Sequence, residues 1–167
     1  MQSITKTKKI AACGLLCAAA LIFSYIEFLL PISIGIPGIK LGLANIVVVL
    51  CIYSIGPEYA AFINLARILL AALLFGNAFS VLYAVSGAVL SFVVMLLLRK
   101  TGLFSVIGVS MAGGVFHNAG QIIMAAVIMQ TKDIILYFPV LLIAGIITGI
   151  INGFISTLVL SKLKSFF

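Results

Sequence analysis

Acid is nearly missing from this chain. Glu27, Glu58 and Asp133 are the only three carboxylate side chains in 167 residues, and they lie far apart in sequence. An aspartate-rich magnesium–diphosphate site cannot be assembled from them. No two-carboxylate or Ser-His-Asp set is visible either. A Walker A sequence is also absent, which leaves ATP hydrolysis to some other chain. The sequence therefore reads as a non-enzyme with no metal and no cofactor. Charge of both signs is scarce, at 8% of residues, where a soluble domain carries about 25%. Cysteines are few and odd in number. Cys13, Cys17 and Cys51 sit inside apolar runs, which fits packed, reduced thiols better than a disulfide framework, although Cys13 and Cys17 share a helix face at i, i+4.

What remains is apolar. Hydrophobic residues make up 65% of the chain, in long runs with short polar punctuation, the pattern of a multi-span helical membrane protein. We read one integral membrane domain, residues 1–167, all-α, with six transmembrane helices at about 10–30, 41–55, 59–75, 79–98, 103–129 and 134–160. Pro31, Gly56-Pro57, Gly76-Asn77, Arg99-Lys100 and the "QTKD" of 130–133 mark the breaks. The first run, behind Lys6, Lys8 and Lys9, imitates a signal peptide but is long enough to span. The second covers only about 22 Å at 1.5 Å per residue, so it is kinked, upright or partly covered by protein.

Net charge is +7, but no basic stripe is left for a nucleic acid. The basic residues sit at the ends of the apolar runs. An even number of spans puts Lys6, Lys8, Lys9, Arg99, Lys100, Lys162 and Lys164 on one side, and Lys40 and Lys132 on the other. The positive-inside rule then makes both termini cytoplasmic. The long external connection, "PISIGIPGIKLG" (31–42), is apolar and rich in glycine and proline. It reads as a lid folded onto the bundle, with Gly35, Gly38 and Gly42 as hinges.

The informative residues are the ionisable and amide side chains inside the runs. Glu27 lies in the outer part of the first span, Arg67 near the middle of the third and His117 near the middle of the fifth. A charge at the bilayer centre costs at least about 2.5–3.5 kcal/mol on insertion scales, so such groups face protein or a wet cavity. Arg67 cannot shed its proton, and Glu27 is the only intramembrane carboxylate. Two readings coexist: an ion pair tying two helices, or an outward-facing polar cavity that meets a ligand. His117, Asn118 and Gln121 form one helical polar stripe flanked by Gly113, Gly114 and Gly120. Asn45 and Lys40 belong to the same outer half. Three potential cations (Lys40, Arg67 and His117) suggest a ligand with an anionic or strongly accepting head. Small residues every four positions, Gly145, Gly149 and Gly153 in the sixth span and Gly14/Ala18 in the first, suit close helix approach or docking of a partner.

"PGIKLGLANIVVV" (37–49), "ARILLAALLFG" (66–76), "SGAVLSFVVM" (86–95) and "GVFHNAGQ" (114–121) occur in this order. Together they resemble the family known as heptaprenyl diphosphate synthase component I, also called the Gx transporter family. That family is in turn thought to resemble the substrate-binding S components of energy-coupling-factor (ECF) transporters. The resemblance implies a six-helix bundle in a bacterial plasma membrane, with an outer binding site and a lid after the first helix. It also implies a separate coupling transmembrane subunit and ATPases as partners. S components dock that subunit through Ala-x-x-x-Ala on the first helix. Here no alanine pair has that spacing, and Gly14/Ala18 or Ala20/Ser24 would substitute. Glu27, Lys40, Asn45, Arg67, His117, Asn118 and Gln121 are the candidate substrate-binding residues. Two other readings remain open. One is a non-catalytic accessory subunit linked to polyprenyl diphosphate or quinone metabolism or to a redox complex. The other is an autonomous carrier using Glu27 and His117 as a proton relay.

Overall fold

A computed structural model describes residues 6–30 and 40–163. Gly35 and Gly38, and most of the expected lid, lie outside the described residues. The elements in order are α1 (Lys6–Leu29), α2 (Asn45–Ser54), α3 (Pro57–Phe75), α4 (Ala78–Thr101), α5 (Val106–Met129), a 3-10 turn (Asp133–Tyr137) and α6 (Phe138–Leu163). The breaks expected from the sequence are made by ordinary capping chemistry. Pro57 sits in the first turn of α3, where its missing N–H costs nothing. Asn77 and Ser80 form a reciprocal capping box at the start of α4. Gly102 closes α4 in the left-handed region, and Ser105 caps α5.

Every helix except α2 is long and apolar enough to cross a membrane. Their outward faces carry large hydrophobic side chains such as Leu15, Leu73, Leu97 and Val127. Buried positions hold Glu27, Asn64, Arg67, His117, Asn118 and Gln121. Apolar outside and polar inside is the distribution a bilayer requires of a multi-pass protein.

The second apolar run differs from the expected 41–55 span. Its helix has ten residues, about 15 Å, half the hydrocarbon thickness. It does not face lipid: Ala44 to Ile52 are all buried, enclosed by α1, α3, α5 and α6. A helix that is apolar all round belongs in a core, and α2 is that core, packed with Ile63, Met95 and Val109. The stretch before it, residues 40–44, is not regular helix, so its peptide groups need partners inside the protein. A polar face of α6 supplies some of these and one for the first turn of α2. Asn152 Nδ2 donates to the Gly42 carbonyl (3.1 Å), Ser156 Oγ to that of Ile46 (3.3 Å) and Thr148 Oγ1 to that of Leu41 (3.4 Å).

The polypeptide still alternates direction. At one end Lys9 Nζ lies 5.7 Å over the Tyr59 ring and Arg99 lies 5.1 Å over Tyr53. At the other end Tyr25 and Phe28 pack on Phe75, with centroids 5.5 and 5.3 Å apart. We call these the basic end and the far end.

The helices α4, α5 and α6 pack through glycines. A Cβ on Gly149 would lie 2.6 Å from Met111 Cα, one on Gly153 2.7 Å from Ile107 Cα, and one on Gly145 2.8 Å from the Gly114 carbonyl oxygen. The small-residue stripe of α6 is therefore consumed by α5. Gly14 behaves oppositely: nothing lies within 4 Å of where its Cβ would be, and Ala18 beside it is exposed. Of the two stripes, only that of α1 is open.

Candidate functional site

The far half of the bundle contains a small recess lined by Glu27, Lys40, Arg67, Ala84, His117 and Gln121. Five of the seven candidate residues thus come together, contributed by α1, the segment before α2, α3 and α5. The recess is tight, about 10 Å³, room for roughly one water. A second recess adjoins it and shares Lys40, Arg67 and Ala84, reaching between α3 and α4 to Gly76 and Ser80.

Helix geometry explains the convergence. Ser24 and Glu27 are three apart on the buried side of α1, and Asn64 and Arg67 three apart on that of α3. Arg67 is 4% exposed. Its Nε donates to Asn64 Oδ1 (3.0 Å) and its Nη1 to Ser24 Oγ (3.4 Å). Its Nη2 has no partner among the described residues. A buried donor left unmade costs about 1–3 kcal/mol, more for a charged group.

The ion pair considered between Glu27 and Arg67 is not formed. Glu27 Oε1 accepts from the backbone N–H of Gly42 at 2.5 Å, and the two charges interact only at longer range. The physical reason is the irregular backbone of residues 40–44: its amide competes successfully for the carboxylate. Gln121 serves the same backbone. Its Nε2 donates to the Lys40 carbonyl (3.0 Å), and its Oε1 accepts from the Lys40 N–H (2.9 Å). One side-chain amide thus stands in for a peptide group on both sides of Lys40. The Lys40 Nζ lies 5.7 Å over Phe75, between the recess and the far end.

Gly42 has φ of +87°, and a Cβ there would fall 2.9 Å from Asn45 Nδ2 and 3.1 Å from His117 Cδ2. Instead of a free hinge, it is a pinned turn that only glycine fits. Asn45 does not line the recess but packs beneath Gly42. Asn118 is the other candidate that does not line the recess. It is fully buried and its Nδ2 donates to the Leu141 carbonyl of α6 at 2.7 Å. One residue along the helix from His117 is a 100° turn, enough to aim it at a different neighbour. Among the described residues no cluster of His, Cys, Asp or Glu could hold a metal.

A family model described as heptaprenyl diphosphate synthase component I matches residues 16–159. The chain belongs to that family. Among curated proteins nothing matches. The name component I denotes one part of an assembly, so partner subunits are implied, and in this component I chain every element of the recess falls inside the matched region. Of the supporting residues, Asn64 was not picked out from the sequence, and Ser24 and Gly87 were read only as small residues for helix packing or docking, whereas Ser24 is buried. Ser24 and Asn64 hold Arg67, and Gly87 packs on His117, where a Cβ would lie 2.9 Å from Nδ1. Thr148, Asn152 and Ser156 had a readable signal: polar residues every four positions in the sixth apolar run.

Proposed function

We propose that this protein is a membrane substrate-binding subunit, similar to an S component, which captures a small molecule with an anionic or strongly accepting head. Separate coupling and ATPase subunits would energise release on the other side. The observation that carries this reading is the buried, unpartnered Nη2 of Arg67 at a recess it shares with Lys40 and His117. A guanidinium with a free N–H suits a phosphate or carboxylate oxygen. In this tight state a head group would enter by displacing the Lys40 side chain from Phe75. The positive-inside rule makes the far end external, and the open Gly14/Ala18 face of α1 is the docking surface for the coupling subunit.

Native mass spectrometry of the purified protein tests this. A co-purified small molecule should be retained by the wild type and lost in R67A, with the fold intact by thermal unfolding. Equal retention by R67A would remove Arg67 from the site. The name component I supports a second reading, a non-catalytic accessory subunit of a polyprenyl diphosphate synthase. Affinity purification separates the two: coupling and ATPase subunits favour the first, a prenyl synthase the second.

A further inference from the structure

Between α3 and α4 the surface holds an apolar groove of about 120 Å³, with Ala61, Leu65 and Ile68 on one wall and Val85, Ala88 and Phe92 on the other. Apolar cavities of about 150 Å³ accept benzene-sized molecules. The groove adjoins the polar site. Ile68 lines both the groove and the recess that contains Lys40 and Arg67. Asn64, the acceptor for Arg67 Nε, lines the groove as well. From Ile68, beside the midpoint of α3, to Ala61 the groove runs about 10 Å along α3, away from the far end and into the basic half of the helix.

The geometry points to an amphiphile as the occupant: an anionic phosphate or carboxylate head at Arg67 and Lys40, and an apolar chain in the α3–α4 groove, entering sideways from the far leaflet. This rests on the proposed binding function and narrows its substrate class. A wholly water-soluble anion would leave the groove unused. A wholly apolar lipid would leave Arg67 Nη2 unpartnered. Only a molecule with both parts satisfies the charged donor and the groove together.

The chain contains no tryptophan, so L65W places a single indole at the groove wall. The protein in nanodiscs of zwitterionic lipid is titrated with dodecyl phosphate brominated along its chain, and separately with ethyl phosphate and brominated dodecanol. Thermal unfolding is followed in parallel. Dodecyl phosphate should quench the indole saturably, be displaced by its unbrominated form, and raise the unfolding temperature at concentrations at least ~10-fold below those needed for ethyl phosphate. Dodecanol should give only linear, non-saturating quenching, and R67Q should abolish the saturable part, with R67K as the charge-retaining control. Stabilisation by ethyl phosphate equal to that by dodecyl phosphate, without saturable quenching, would overturn the amphiphile and leave the binding function standing. No effect of either phosphate would overturn both.

Discussion

Gln121 and Glu27 each hold a piece of backbone, and their substitutions should part company. Q121L removes both hydrogen bonds to Lys40 and leaves a half-buried N–H and C=O unpaired. Its cost should be about 1–3 kcal/mol for each group stranded, read as a lowered unfolding temperature in detergent. E27Q keeps an oxygen to accept from Gly42 while removing the one negative charge at the recess. Stability should change little, and affinity for an anionic probe such as dodecyl phosphate should rise, because Lys40 and Arg67 lose their internal competitor. Weaker binding in E27Q would mean that the carboxylate takes part in the ligand's own contacts. At this scale the sequence exposed the charged and amide residues, because each stands out in an apolar run at a stated energetic cost. It did not expose what they bond to. Ser24 read only as a small packing residue and Asn64 drew no notice, and a backbone amide such as that of Gly42 has no letter of its own.

Two glycine stripes of similar appearance have opposite environments, and the difference is decided by neighbours that no single helix contains. G149V drives a side chain into the α5 backbone at Met111. Backbone cannot yield as a flexible side chain does, so the loss should reach about 1–3 kcal/mol or more. G14V meets open space, and stability should stay within about 0.5 kcal/mol of the wild type. Its effect should appear instead as reduced co-purification of whichever subunit docks on α1. If partner yield is unchanged in G14V and in the bulkier G14L, docking lies elsewhere. The helix breaks were legible because Gly-Pro and Gly-Asn chemistry at their ends is local. The enclosure of α2 was legible only as one of three readings of its shortness, because a short apolar run reads alike whether lipid or protein surrounds it. The polar ladder of α6 that satisfies residues 41–46 is the feature that marks α2 as interior.

At the scale of the molecule, α4, α5 and α6 form one tightly crossed set, while α1 and α3 flank α2 on the other side. The recess lies where the two sets meet, and α3 and α4 bound its open side through the Gly76–Asn77 turn. Because a cavity of about 10 Å³ admits one water, a ligand head needs more room than displacing Lys40 from Phe75 provides, and separation of α3 and α4 at the far end would supply it. Packed glycine interfaces resist such movement, whereas the α3–α4 seam, already grooved along Ala61 to Ile68, offers the weaker contact. Ala72 and Val81 line the second, adjoining recess from opposite helices. With Cys13, Cys17 and Cys51 replaced by alanine, A72C and V81C joined by a short reducible bis-thiol cross-linker should lose exchange of bound probe by at least ~10-fold, the scale expected when a gating motion is blocked. Reduction should restore it. A cross-linked protein that still exchanges probe at the uncrosslinked rate would show that the ligand reaches Arg67 by another route, through the segment before α2, and would move the gate from the α3–α4 seam to the connection that follows α1.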